Sequence, residues 1–245
     1  DLLRDVSDIG DFNGDGHRDF AVLLSNDLRP NELSEDFAPR EPCVERQWGQ
    51  GGTYVFLGGP NIFDWRPDFV FWGRGGGNSP EVVVGGRDFN GDGLSDFAIG
   101  SIRGDGPAGG DAGVVMVVTG RPDPTPDQVS VICEPFMAHF GGAAADNLGH
   151  EIAFVSDLNG DGCDEIAVGT HLVERQGFTN GGGAEIVYGH GHPNCFDDIR
   201  IARIIPDGSW IQVGWALAVG DLDGDGLDEL ALGSPYERYE DESRG

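Results

Sequence analysis

The sequence predicts an all-β protein, a β-propeller of four-stranded antiparallel blades of which about three and a half are present. Three observations predict it. A nine-residue acidic turn occurs four times, short apolar runs bounded by Gly and Pro flank the copies, and no stretch has the periodicity of a helix. A four-stranded sheet cannot bury both of its faces alone, so repeated sheets are expected to stack as blades around an axis. We expect one such domain over residues 1–245.

The acidic turn has the pattern Asp-x-Asn/Asp-Gly-Asp-Gly-x-x-Asp/Glu and begins at Asp11, Asp88, Asp157 and Asp221. Side chains with oxygen atoms occupy positions one, three, five and nine, and glycine occupies positions four and six. Ca²⁺ is a hard ion that takes roughly 6–8 oxygen ligands. Asp and Asn side chains two residues apart on a tight turn can converge on one such ion, and glycine supplies the backbone angles that the turn needs. The pattern therefore predicts four Ca²⁺ sites.

Each predicted site takes four side chains and the backbone carbonyl of position seven, where the residue type varies freely. The predicted ligands are Asp11, Asn13, Asp15, His17 and Asp19 in the first loop; Asp88, Asn90, Asp92, Leu94 and Asp96 in the second; Asp157, Asn159, Asp161, Cys163 and Glu165 in the third; and Asp221, Asp223, Asp225, Leu227 and Glu229 in the fourth.

An EF-hand shares the opening of this pattern but needs a bidentate Glu at position twelve and a helix on each side. Position twelve is apolar in all four copies, as Val22, Ile99, Val168 and Leu232. These residues lie in β-rich runs, so an EF-hand is excluded. Plain turns are the remaining alternative for a single copy, but four copies with one acidic pattern favour metal binding.

The same order of apolar runs recurs around the loops, whose starts are 77, 69 and 64 residues apart. One run precedes each loop, one follows it, and two more come before the next loop. The predicted strands are 81–85, 151–155 and 216–219 before loops; 20–24, 97–99, 166–168 and 230–232 after them; 53–57, 113–119 and 184–188 in third place; and 68–72, 128–133 and 199–205 in fourth place.

Short motifs beside the loops complete a family pattern. Leu148-Gly149 and Val213-Gly214 stand near the position of a Phe-Gly pair, and Gly233-Ser-Pro235 stands at that of a Gly-Ala-Pro triplet; Leu24-Ser25-Asn26 in the first unit departs from it. The chain resembles the FG-GAP repeat family, the calcium-bearing propeller of integrin α-subunit heads and of many bacterial surface proteins. The resemblance implies an extracellular binding or adhesion module, secreted or on the cell surface. Because that family builds seven blades, we expect a segment of a longer propeller, or two chains that complete one ring.

Composition restricts the partners. The chain has 43 acidic residues against 15 basic ones, all of them Arg, and a net charge of −28. The surface stays acidic even with four Ca²⁺ bound, so nucleic acid and anionic membranes are poor partners. No apolar stretch approaches the length of a membrane span, and direct membrane insertion is not expected. We expect a protein or polysaccharide ligand, with homo-oligomers or lateral assembly as a further possibility.

Four cysteines suit an oxidising compartment and allow three pairings. On the propeller, Cys163 in the third loop and Cys195 in the connection between strands three and four fall at one end of the same blade. Cys43 and Cys133 fall at the opposite end of neighbouring blades. We therefore predict Cys163–Cys195 and Cys43–Cys133 disulfides, and four free buried thiols are the alternative.

Three other features are candidate sites with plainer interpretations. Arg103-Gly104-Asp105 spells an integrin-recognition tripeptide but is favoured as a turn. His190 and His192 offer two metal ligands without an evident third, which favours a solvated loop. The aromatic cluster of the first unit is interpreted as packing between blades, with a sugar- or peptide-binding face as the alternative. Its members are Trp48, Trp65, Phe69, Phe71 and Trp72.

No catalytic motif is visible: the chain has no G-x-S-x-G, no H-E-x-x-H and no phosphate-binding glycine loop. A binding module is therefore the first hypothesis. A structural subunit of a surface assembly or filament is the second. An accessory or catalytic propeller of a polysaccharide-active enzyme is the third.

Overall fold

The computed structural model describes residues 2–25, 51–59, 66–72, 80–122, 130–132, 135–172, 180–193, 195, 199–206 and 210–235. Every regular element in these ranges is a β-strand, which confirms the all-β prediction. A helix long and apolar enough to cross a membrane does not occur among them.

The described ranges contain fifteen strands. They are β1 (Leu2–Gly10), β2 (Asp19–Ser25), β3 (Gly52–Phe56), β4 (Phe69–Trp72), β5 (Val82–Arg87), β6 (Asp96–Ser101), β7 (Val114–Val118), β8 (Ser130–Ile132), β9 (Met137–Phe140), β10 (Leu148–Val155), β11 (Glu165–Thr170), β12 (Ala184–Tyr188), β13 (Arg200–Ile204), β14 (Ala216–Gly220) and β15 (Glu229–Gly233).

The strands form four small sheets in chain order. The sheets are β1-β2-β3-β4-β8, β5-β6-β7-β9, β10-β11-β12-β13 and β14-β15. Neighbouring strands of the described sheets pair antiparallel, as in Ile152↔Val168 between β10 and β11, except for β4 and β8. In all four sheets the acidic loop joins the first strand to the second, as predicted. Three full blades and one pair of strands match the predicted three and a half.

One predicted strand belongs to a different sheet. The run 128–133 was expected as the fourth strand of the second blade, but β8 pairs parallel to β4 as a fifth strand of the first sheet. Phe69 lies opposite Ser130 in this pairing, and Phe71 lies opposite Ile132. The fourth strand of the second sheet is β9 instead, which pairs with β7. β9 is only four residues long, contains His139 and is followed by two glycines, so its apolar content alone did not indicate a strand.

The sheets stack face to face in chain order. The first two sheets share a core in which Phe12 packs on Phe69 and Phe97, with ring centroids 5.5 and 5.4 Å apart. A second core joins the second and third sheets, and a third core joins the third sheet to β14 and β15. The strands β6, β7 and β11 are buried at every residue because both faces of their sheets are covered. This stacking is the packing of propeller blades.

The aromatic side chains of the first unit serve this packing where they are described. Phe69 and Phe71 are buried in the core between the first and second sheets, which confirms the interpretation as inter-blade contacts. Trp48 and Trp65 lie outside the described residues, as do Cys43 and Cys133.

A polar contact also joins the second and third sheets. Glu185 in β12 is buried, and its carboxylate accepts hydrogen bonds from His139 Nε2 at 2.6 Å and Arg203 Nε at 2.7 Å. Burial alone would raise the pKa of Glu185, but these two bonds and the charges of both partners hold it below its usual value. The buried carboxylate is thus compensated as the interior requires.

Candidate metal centres

The four acidic loops lie at the same end of their sheets, between the first and second strands, and they share one hydrogen-bond pattern. Position one is its centre. In the third loop Asp157 Oδ1 accepts bonds from the N–H groups of Gly160 at 2.6 Å and Asp161 at 3.1 Å, and Oδ2 accepts one from Gly162 at 2.8 Å. Asp11 and Asp221 repeat all three bonds, and Asp88 repeats those to positions five and six.

The two glycines make this wrapping possible. Gly160 and Gly162 have φ values of 78° and 94°, in the left-handed region that a residue with a Cβ rarely adopts. The equivalent glycines of the other loops have the same positive φ. The turn therefore closes around the first carboxylate, and positions three and five follow two and four residues later on the same turn.

Positions three and five each use one oxygen on the backbone. In the third loop Asn159 Oδ1 accepts the N–H of Asp161 at 2.9 Å, and Asp161 Oδ1 accepts that of Cys163 at 3.0 Å. The second oxygen of position five, Asp161 Oδ2, is buried and has no hydrogen-bond partner. A buried carboxylate oxygen without a donor is costly, and a bound cation is one way to satisfy it.

The carboxylate at position nine anchors the loop by accepting hydrogen bonds from backbone N–H groups. Asp96 is fully buried, and its carboxylate accepts the N–H of Phe89 at 2.8 Å and the N–H of Gly120 at 2.7 Å. Asp19 makes the equivalent bonds to Phe12 and Gly58. In these two loops position nine ties the turn to the end of the third strand, a role that sequence reasoning missed. The spacing alone shows an acidic residue but not which donors it meets.

Burial raises the pKa of the carboxyl group at position nine in the first three loops. Burial raises the pKa of Asp96 and of Glu165 to about 7, and neighbouring loop carboxylates add to the rise. The pKa of Asp19 is raised for the same reasons. A bound divalent cation would oppose both effects because it stabilises the ionised form.

The loops differ in how closely their carboxylates gather. In the third loop one oxygen each of Asp157, Asp161 and Glu165 lie within 4.8 Å of one another, and in the fourth loop the same holds for Asp221, Asp223 and Asp225. Among the described residues the first two loops do not bring three carboxylates this close. The donors are all hard oxygens, so the loops fit Ca²⁺, while the full ligand sets remain a prediction.

Position seven contributes its backbone, as its variability indicates. The N–H groups of His17, Leu94, Cys163 and Leu227 all donate to the position-five carboxylate of their own loop, at 2.8 to 3.0 Å. Whether their carbonyl groups bind an ion stays a prediction.

The third loop is covalently anchored. Cys163 and Cys195 form a disulfide, with Cα atoms 6.1 Å apart, which confirms the predicted pair. Cys163 is position seven of the loop, and Cys195 follows β12. The bond therefore ties the loop to the connection beside it.

Position eight links neighbouring loops, and nothing in the nine-residue pattern had pointed to it. The N–H of Ser95 donates to the carbonyl of Asp11 at 3.0 Å, and the N–H of Asp164 donates to that of Asp88 at 2.9 Å. Each bond joins position eight of one loop to position one of the loop before it. The first three loops are thus hydrogen-bonded in a row along one end of the stacked sheets.

Two other candidate sites from the sequence have structural explanations. Arg103 and Asp105 are exposed around a turn in which Asp105 Oδ1 accepts the N–H of Asp111, as the turn interpretation predicts. The expectation of a solvated loop is wrong for His190, which is buried against Phe89 and Phe136 with ring centroids 5.4 and 5.1 Å away. Its apolar neighbours come from a different sheet, so local sequence did not show them.

Comparison with known proteins agrees with this arrangement. The FG-GAP repeat family matches residues 213–245. Phosphatidylinositol-glycan-specific phospholipase D of Rattus norvegicus is 28% identical over 163 residues, which cover 63% of this chain and 18% of the relative. The Mus musculus protein of the same name is 27% identical over 161 residues, with the same coverage. The chain thus spans less than a fifth of these relatives' length. The match at residues 213–245 confirms the resemblance to FG-GAP repeats that the four acidic turns indicated.

Proposed function

We propose that this chain is a calcium-stabilised, extracellular binding module in which Ca²⁺ fixes the loop end of the stacked sheets and the propeller surface recognises a protein or polysaccharide. The observation that carries the calcium part is the third loop. It places a buried carboxylate oxygen without a partner, Asp161 Oδ2, in a group with Asp157 and Glu165. Such a group is unfavourable without a cation and favourable with one.

The expected stabilisation is large enough to matter. Extracellular calcium modules bind with a Kd of roughly 10⁻⁴–10⁻³ M. At about ten times Kd one site adds roughly 1.4 kcal/mol, so four independent sites would add about 5–6 kcal/mol. This is comparable with the net stability of a whole domain. The folded conformation of the loops would then depend on bound Ca²⁺.

Three arguments support an extracellular location. The FG-GAP resemblance implies it, and a disulfide such as Cys163–Cys195 persists in oxidising compartments. A Ca²⁺ site of millimolar affinity is also filled only where Ca²⁺ is abundant. With a net charge of −28, the surface suits a neutral or basic ligand better than an acidic one.

An accessory role beside a catalytic domain is the second candidate, and the similarity to two phospholipases D favours it. Their activity belongs to proteins of which this chain matches 18%, so we do not assign it to the propeller itself. In this setting the module would position a hydrolase on its substrate surface.

Titration of metal-depleted protein with Ca²⁺ tests the proposal. Calorimetry should show heat from saturable sites, and the melting temperature should rise with Ca²⁺ but much less with the same concentration of Mg²⁺, which demands a tighter octahedral site. Absence of any Ca²⁺-dependent heat or melting shift would refute the calcium role. Binding to immobilised matrix proteins and neutral polysaccharides, with and without Ca²⁺, tests recognition separately.

A further inference from the structure

Three aromatic rings meet at the end of the sheets opposite to the acidic loops. His150 lies near the start of β10, His171 directly follows β11, and Trp215 directly precedes β14. The two imidazole centroids are 4.4 Å apart, and the indole of Trp215 lies 4.8 Å from His150 and 4.9 Å from His171. The cluster therefore bridges the third and fourth sheets.

Both imidazoles have a buried nitrogen that meets no partner. Nδ1 of His150 and Nδ1 of His171 are enclosed by protein, yet neither makes a hydrogen bond. His171 is only 6% exposed, so its ring is not simply solvated. Leaving one buried polar atom unpaired costs about 1–3 kcal/mol, and such atoms are rare in native proteins. Two on touching rings indicate that a partner binds there.

We propose that His150 and His171 are the protein ligands of a transition-metal site for Zn²⁺, Ni²⁺ or Cu²⁺, capped by Trp215. Neutral imidazole nitrogen is a preferred donor for these ions. Ca²⁺ takes oxygen donors, so the site is chemically distinct from the acidic loops. Solvent supplies the other ligands, because Trp215 is 40% exposed and His150 is half-buried.

The local charge suits a cation. Glu151, the next residue of β10, lies close enough for its charge to interact with that of His150, and Asp5 interacts with Glu151 in turn. These two acids offset the positive charge of an ion. A further unpaired atom, Oε1 of Gln212, is buried three residues before Trp215.

Copper EPR provides the main test, on the full chain in saturating Ca²⁺ so that the acidic loops are occupied. One equivalent of Cu²⁺ should give a spectrum with hyperfine splitting from two imidazole nitrogens. The substitutions His150→Gln and His171→Gln should each remove one nitrogen and weaken binding about tenfold or more. His192→Gln, which removes a histidine at the opposite end of the sheets and outside the acidic loops, should leave the spectrum unchanged.

A second readout avoids the histidines. Bound Cu²⁺ should quench the fluorescence of Trp215, and the substitution Trp215→Phe should remove that quenching while the EPR spectrum persists. If a histidine variant fails to fold, the nitrogen count of the wild-type spectrum and this variant still decide. The proposal is overturned if Cu²⁺ shows only oxygen ligands, if excess Ca²⁺ displaces it, or if folded H171Q binds it unchanged.

Discussion

Arg87 and Asp228 are 141 residues apart in the chain, yet Nη2 of the arginine lies 2.7 Å from Oδ2 of the aspartate. Arg87 ends the first strand of the second sheet, and Asp228 is position eight of the fourth loop. Asp228 also accepts the N–H of Ser156 at 2.9 Å and donates its own N–H to Ser156 Oγ at 3.1 Å. One aspartate thus connects three successive sheets. Burial would raise the pKa of Asp228, but the bonds with Ser156 and the charge of Arg87 together lower it.

We expect the substitution Arg87→Gln to loosen the fourth sheet. The arginine side chain is 39% exposed, so its ion pair should be worth only about 1 kcal/mol after screening by solvent. Hydrogen exchange should quicken in β14 and β15, which this contact helps to hold, and stay unchanged in β6 and β7.

Arg18→Gln is the matched control. Arg18 also bonds to an aspartate, Asp8, at 2.7 Å, but both side chains are more than half exposed. Its loss should change neither stability nor exchange measurably. Equal effects of the two substitutions would show that the Arg87–Asp228 contact does not brace the fourth sheet.

The substitution Asp161→Asn tests the third loop. It keeps the shape of the side chain and can keep the bond to the N–H of Cys163, but it removes the charge of the buried oxygen that has no partner. In chelator the variant should be as stable as the wild type or slightly more so, because repulsion among the loop carboxylates falls. In Ca²⁺ it should lose about one site's stabilisation, roughly 1.4 kcal/mol at ten times Kd.

Asp111→Asn removes one charge away from the loops and serves as control. Asp111 is exposed, and Asn tolerates its positive φ of 53°. Its Ca²⁺-dependent rise in melting temperature should equal that of the wild type. If Asp161→Asn also keeps the full rise, the third loop does not bind Ca²⁺ through Asp161.

Local chemistry explains how much of this structure the sequence could predict. The acidic turns and the strands around them depend on residues within nine positions, so the pattern predicts both the loops and their place between strands one and two. The Cys163–Cys195 pair was predictable because the strand order of a blade places both residues at one end of the same blade. The parallel pairing of β8, the burial of His190 and the links through position eight depend on neighbours from other sheets. No pattern within one repeat contains that information. The contact of Trp215 with His150 and His171 also joins two sheets and was not predicted for the same reason.

Calcium should weaken or reverse the pH dependence of stability. Asp96 and Glu165 have folded-state pKa values of about 7, raised first by burial, whereas in the unfolded chain they titrate near 4. Between about pH 4 and pH 7 these two carboxyl groups hold more protons in the folded protein than in the unfolded chain, and together they outweigh His171, whose pKa burial lowers to about 4 and which acts in the opposite direction. The free energy of unfolding in chelator should therefore fall as the pH rises through this window. In Ca²⁺ it should fall less or rise, because the ion binds the deprotonated carboxylates.

Urea unfolding at pH 5 and pH 7, in chelator and in Ca²⁺, measures both slopes. Glu165→Gln should flatten the slope in chelator, since the amide does not titrate. Glu81→Gln, at an acid outside the loops, should leave it as in the wild type. A wild-type stability in chelator that increases from pH 5 to pH 7 would contradict the raised pKa values.

The disulfide should support the third loop in particular. Cys163 and Cys195 close a segment with a sequence separation of 32, and the chain-entropy estimate for such a loop is about 3–4 kcal/mol. The double substitution Cys163→Ser with Cys195→Ser should lower the free energy of unfolding by up to this amount, measured by urea unfolding. It should also weaken Ca²⁺ binding at one site of the calorimetric titration, because Cys163 donates its N–H to Asp161 and the disulfide holds that turn in place.

Adding Asp161→Asn to the double variant should then cause little further loss of Ca²⁺-dependent stability. Full, separate losses from both changes would mean that the disulfide stabilises the blade without positioning the metal ligands.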